Sequence, residues 1–279
     1  MHCSVIYCRK GLSTTAIILI GLVCAFFSLV SFFAVKHIFD TWSPTLSNSQ
    51  QLFKDKKYDQ ALALAQKLRR SGKTDSELLT LVGKTWMAKA WKRQEKENWR
   101  NYGNDVDDWL QCPEAQNAQE ALEKALELNP DNVEAHYYAG RLYLEKGWFY
   151  KAESQYLETL RLQKDYVPAY IDLAALYVKT NNYDHAESEL KKAYAHEPEN
   201  PSVSKNLYVL YQHYKEMPES AMVWANRYLN RNPGGDLDKY FIRENLEQML
   251  ERYPEVTLPD SRNWKQERRF KPTERFGGK

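Results

Sequence analysis

Cysteine is scarce: the 279 residues hold four, at positions 3, 8, 24 and 112. That number excludes a small scaffold stapled by disulfides. Cys112 stands alone beyond position 24, so no intrachain disulfide can form there. An excess of one charge is also missing: 39 Lys+Arg face 37 Asp+Glu, a formal net charge of +2. A dedicated nucleic-acid binder carries a strong basic excess, so nucleic acid is not an expected partner. The six histidines, at 2, 37, 136, 185, 196 and 213, show no zinc-ligand spacing. There is no phosphate-cradling glycine loop, no GxSxG elbow and no CxxCH haem attachment. Asn104, Asp105, Asp107 and Asp108 lack the glycine and terminal Glu of a calcium loop and read as a solvated turn. No catalytic residue, cofactor or metal ligand is expected, and an enzyme is the least favoured class.

Charge is absent from one long stretch. Between Gly11 and Val35 there is none of either sign, a run of 25 residues flanked by Arg9–Lys10 and Lys36–His37. About 20 apolar residues cross a bilayer as a helix. The run is too long for the apolar region of a cleaved signal peptide, and Phe32 and Phe33 crowd its end. A lipoprotein signal fits poorly, because Cys24 lies mid-run behind the branched Val23. The expectation is a single-pass anchor over 11–35, after a short flank at 1–10 and before a linker at 36–41. Arg9 and Lys10 favour a cytoplasmic N-terminus and a large domain outside the cytoplasm, most simply a bacterial inner membrane facing the periplasm. Gly21, Ala25 and Ser28 share one helix face and would let another membrane helix approach closely, although such residues are ordinary in membrane helices.

What is abundant is aromatic, with 19 Tyr and 8 Trp, and the tyrosines repeat. Ala118, Ala152 and Ala186 lie 34 residues apart, as do Tyr143, Tyr177 and Tyr211, and Gly140 and Ala174. Ala221 follows at 35, and Pro130, Pro198 and Pro233 close units. A fixed period with small residues at two points predicts stacked pairs of antiparallel helices. The small residues mark close crossings, expected to set Gly140 against Ala152 and Ala174 against Ala186. The tyrosines fill the space between neighbouring pairs, and proline ends each second helix.

At these residues the chain resembles the tetratricopeptide repeat family. VEAHYYAGRLYLEKGWFYKAESQYLETLRLQKDY (133–166) and VPAYIDLAALYVKTNNYDHAESELKKAYAHEPEN (167–200) carry the resemblance. It implies an all-α fold: an α-solenoid of about five helix pairs over 42–235, following the membrane helix. The units fall at 42–75, 76–132, 133–166, 167–200 and 201–235. In the first, KYDQA (57–61) matches but the preceding helix is weak. In the second, Gly83 and Ala118 are 35 residues apart where 12 are expected, an insertion near 92–114. The segment 84–117 holds Trp86, Trp91, Trp99 and Trp109. Its first helix should run on to about Asn101, and Cys112–Pro113 should start the return helix. The helical spacing of Leu237, Tyr240, Phe241, Leu246, Met249 and Leu250 predicts a capping helix over 236–253. The remainder, 254–279, is basic and aperiodic and reads as a disordered tail.

Such repeats imply a protein-binding groove on the first helices. One known use, a Lys–Asn clamp for C-terminal carboxylates, is not met here. The expected partner-binding residues are Tyr137, Arg141, Leu144, Ile171, Val178, Lys179 and Lys205 in the groove. Trp91, Trp99, Tyr102 and Trp109 are added in the insertion, where tryptophan suits an interface anchor as well as it suits packing of the hairpin on its own array. The expected function is a non-enzymatic membrane-anchored scaffold, a subunit or biogenesis factor of a membrane or envelope complex. The alternative is a cytosol-facing adaptor that recruits soluble clients.

Overall fold

The computed structural model describes residues 45–98, 112–231 and 237–258. All the regular structure in them is helical, in eleven helices with no strand among the described residues. The chain divides into two compact units, residues 1–74 and 75–279, taken in turn.

In the first unit α1 (Leu46–Lys54) and α2 (Tyr58–Arg70) form an antiparallel pair. Thr45 caps α1 by accepting from the Asn48 amide at 3.1 Å. The polar start of α1 is used inward: fully buried Ser49 donates to the Ala61 carbonyl at 2.9 Å. Ala61, Leu62, Ala65 and Leu68 bury one face of α2.

The second unit holds α3 (Ser76–Asn98), α4 (Pro113–Leu128), α5 (Val133–Glu145), α6 (Phe149–Leu162), α7 (Val167–Lys179), α8 (Tyr183–His196), α9 (Pro201–His213), α10 (Pro218–Arg231) and α11 (Leu237–Arg252). They pack as consecutive pairs, α3 with α4, α5 with α6, α7 with α8 and α9 with α10. The first helices α3, α5, α7 and α9 lie side by side. α5, α7 and α9 have 13 residues each, whereas α3 has 23. Cys112 caps the return helix α4, with Sγ accepting from the Ala115 amide at 3.4 Å. Asn132 caps α5 and also donates to Ser76 Oγ at 2.6 Å, which ties α5 to α3.

The small residues do mark close crossings, but one partner differs from expectation. A Cβ on Gly140 would stand 2.7 Å from Cε1 of Tyr156, so the aromatic ring, not Ala152, fills that crossing. At Gly83 the added atom would stand 2.6 Å from Leu122 Cγ and 3.3 Å from the Ala118 carbonyl. Tyr156 thus packs within its own pair.

The tyrosines 34 residues apart do more than fill space. Tyr177 on α7 donates to Glu153 on α6 at 2.7 Å, and Tyr211 on α9 donates to Glu187 on α8 at 2.6 Å. Tyr143 on α5 reaches Glu123 on α4 at 3.3 Å. Each bond joins one pair to the next. Burial, and then Glu123, push the Tyr143 hydroxyl up to about 12. Burial also opposes the charge of Glu187, yet hydrogen bonds from Lys191, Lys215 and Tyr211 hold its carboxyl at about 2, below its ordinary 4.5. A carboxylate depressed in the folded state stabilises above its unfolded pKa and loses that contribution as pH falls through the folded one. Glu187→Gln should therefore cost about 1–2 kcal/mol at pH 7. It should also flatten the loss of stability between about pH 4.5 and 2, read by urea unfolding along a pH series.

The turns inside pairs use left-handed backbone: Gly147 (φ 68°), Asn181 (φ 59°) and Glu216 (φ 53°). A side chain there costs about 1–2 kcal/mol. Glu216→Gly should gain about 0.5–1 kcal/mol in chemical denaturation, and Gly147→Ala should lose a similar amount.

α11 covers the end of the second unit by burying Ile242, Leu246 and Met249 against α10. Phe241, expected on the buried stripe, is 61% exposed, and Ile242 takes its place.

The expected location is corrected. No helix among the described residues is long and apolar enough to cross a membrane. The physical reason is plain in α3, the longest: Lys84, Lys89, Lys92 and Arg93 interrupt every apolar stretch. The segment 11–35, with Gly21, Ala25 and Ser28, lies outside the described residues.

Candidate partner-binding face

α3, α5 and α7 converge on Arg141. Its guanidinium lies over the Trp91 ring at 4.4 Å and near the Tyr137 ring at 5.8 Å. Its Nε stands 3.3 Å from Asp172 Oδ2. One helix supplies each part: α3 the indole, α5 the cation, α7 the carboxylate. Stacking desolvates one side of the guanidinium and fixes its plane. Arg141 stays about a third exposed, at 32% of its side chain. Among the described residues no acceptor other than Asp172 engages it. The rest of its five N–H donors remain open.

Around this cation stand the rings of Tyr137, Tyr138, Tyr156 and Tyr166. Tyr137 is 5.2 Å from Tyr138, 5.0 Å from Tyr166 and 6.3 Å from Tyr156, between centroids. Lys84 on α3 donates to Glu134 at 2.7 Å and approaches the Tyr138 ring. Burial lifts the Asp172 carboxyl above its ordinary range, and Arg141 offsets only part of that. Burial, with Asp172 next, drives the Tyr137 and Tyr156 hydroxyls far above theirs. Burial opposes the Arg141 charge, but Tyr137 and Asp172 outweigh it. Among the described residues Asp172 Oδ2 and the Tyr156 hydroxyl are buried without a hydrogen-bond partner.

The sequence-predicted residues separate into three groups. Trp91, Tyr137 and Arg141 are brought together. Tyr137 and Leu144 are, however, buried in the core rather than displayed, because α5 is flanked by α3, α4, α6 and α7. Ile171 and Val178 are half-buried against the next cluster, and Lys179 is exposed at the end of α7. Lys205 turns to the capping helix and pairs with Asp238. Trp99, Tyr102 and Trp109 lie outside the described residues. Asp172 is the residue that sequence reasoning misses. Its signal is present: it is the one acid in the apolar stretch VPAYIDLAALYV.

The arrangement can hold and orient an acceptor group. Among the described residues no group of His, Cys, Asp and Glu is placed to hold a metal ion.

Family models described as tetratricopeptide repeat match residues 121–154 and 167–200. The first begins within α4, spans α5 and ends within α6. A search of curated proteins returns no match. Among solved structures the chain is similar to TTC0263, a thermophilic repeat protein of Thermus thermophilus, at 20% identity and TM-score 0.52. That match covers 74% of this chain and 97% of the other. It is similar to pilF of Pseudomonas aeruginosa at 13% identity and TM-score 0.58, covering 75% and 84%. It is similar to a chain of the APC/C hetero-tetramer Cut9-Hcn1 at 16% identity and TM-score 0.56, covering 73% and 35%. At these identities the likeness is one of fold.

Proposed function

Taking the chain as a tetratricopeptide-repeat protein, we propose that it is a non-enzymatic scaffold that binds partner proteins through its first helices. It serves as a subunit or assembly factor of a larger complex. The observation that carries this reading is Arg141, stacked on Trp91, braced by Asp172 and open on its remaining donors. A side chain already fixed loses little entropy when a partner's carboxylate or carbonyl reaches it. Aromatic and arginine anchors of this kind dominate protein interfaces. The Trp-rich insertion near 92–114 and the tail at 254–279 belong to the same proposal as further contacts.

The test is affinity purification of tagged protein with crosslinking mass spectrometry, comparing wild type with Arg141→Met/Asp172→Leu. Replacing both members of the pair by apolar residues of similar volume leaves no orphaned charge and keeps the fold, which thermal unfolding checks. The expected result is a reproducible partner set crosslinked near α3, α5 and α7, lost in the double variant. An unchanged partner set in a folded double variant would sink the reading.

A further inference from the structure

A second cluster lies on the second helices α8 and α10, not on the first-helix face. Tyr194 and Trp224 meet edge to face at 4.9 Å. Arg227 lies over both, 4.6 Å from the Trp224 ring and 5.2 Å from that of Tyr194. Both rings are half-buried and rest on the hydrophobic core, so the cluster is held in place before anything binds.

Charge singles out Arg227 here. Lys191 pairs with Glu187, Lys192 with Glu189, and Arg231 with Glu199 at 2.7 Å and with the Pro198 carbonyl. Arg227 alone among them has no acid among the described residues; its contacts are the two rings. The rings offer no acceptor in the guanidinium plane, and no hydrogen bond among the described residues takes the N–H donors of Arg227. Those donors match a carboxylate in two-point geometry. Arg231 also approaches the Tyr194 ring, at 5.9 Å, but its charge is paired with Glu199, so Arg227 is the cation over the rings that no acid offsets among the described residues.

We propose that this face is a docking surface for an acidic segment of a partner protein, with Arg227 taking a carboxylate and Trp224 and Tyr194 covering its apolar neighbours. Protein is favoured over nucleic acid because a single open cation gives no track for successive phosphates. The surface is independent of the Arg141 site and stands or falls apart from it.

The test uses the full chain and N-acetyl hexaglutamate amide as probe, followed by the NMR signal of the Trp224 indole, assigned with Trp224→Phe. The expected result is a saturable shift of that signal. Arg227→Gln should weaken the binding at least tenfold, Arg227→Lys partly, and Arg69→Gln/Arg70→Gln not at all. Thermal unfolding checks that each variant is folded. Four results would overturn the proposal: no shift with hexaglutamate at millimolar concentration, a shift unaffected by Arg227→Gln, an equal response to hexalysine, or tighter Arg227-dependent binding of ten-residue oligothymidine, which would make the site one for phosphates.

Discussion

Tyr156→Ala should remove about 3–5 kcal/mol of folding stability. The ring is fully buried and fills the crossing of α5 and α6 beneath Gly140. Its loss opens a cavity between two helices that also carry the neighbouring Tyr137 and Ala152, and packed helices relax only partly into such a space. The hydroxyl predicts the opposite sign. It is buried without a partner among the described residues, and an unsatisfied buried group is costly. Tyr156→Phe should then raise stability by about 1 kcal/mol. Urea unfolding of the two variants checks both; a phenylalanine variant less stable than wild type would show that the hydroxyl has found an acceptor.

Gly140→Ala should cost about 1–3 kcal/mol, although alanine is the better helix former by about 1 kcal/mol. The added methyl would stand 2.7 Å from the Tyr156 ring. That ring cannot swing aside, because it has no exposed surface to move into. Gly83→Ala should behave alike, with its methyl 2.6 Å from Leu122 Cγ. Here the carbonyl of Ala118 at 3.3 Å adds backbone that cannot yield. The decisive measurement is a double-mutant cycle. Gly140→Ala in a Tyr156→Leu background should lose most of its penalty, a coupling well above the few tenths of a kcal/mol shown by independent sites. Additive losses would mean that the two positions do not touch.

These two predictions also mark where the sequence can be read and where it cannot. The recurrence of Ala118, Ala152 and Ala186 identifies helix pairs because close crossings tolerate only small side chains, a rule visible without coordinates. The partner across each crossing is not visible, since it depends on how far one helix slides along the other. Hence Ala152 is expected beside Gly140, where Tyr156 stands. Arg141 is legible as a groove residue, but Asp172 is not. A lone acid in an apolar helix gains its meaning only when the preceding first helix brings an arginine beside it. Tyr137 and Leu144 are expected on the surface for a related reason: a helical pattern shows which residues share a face, not how many neighbours cover it. The uncharged run at 11–35 is the plainest feature of the sequence; it lies outside the described residues, no helix of which is long and apolar enough to cross a membrane.

The Tyr–Glu bonds between successive pairs make each pair's stability depend on its neighbour. In a linear array this is nearest-neighbour cooperativity. Strong coupling makes the stack melt in one step, and a weak link lets it come apart in blocks. The bonds at Tyr177 and Tyr211 are short, at 2.7 and 2.6 Å, while that at Tyr143 is 3.3 Å. The longer bond does not make the α4–α5 junction a weak link, because Asn132–Ser76, Lys84–Glu134 and Arg141 on Trp91 also tie α5 to α3. In native-state hydrogen exchange the core amides of α3 to α10 would then share one common opening, rather than exchange block by block. A partner seated on Arg141 would add to a coupling that already runs from Trp91 on α3 through α5 to Asp172 on α7.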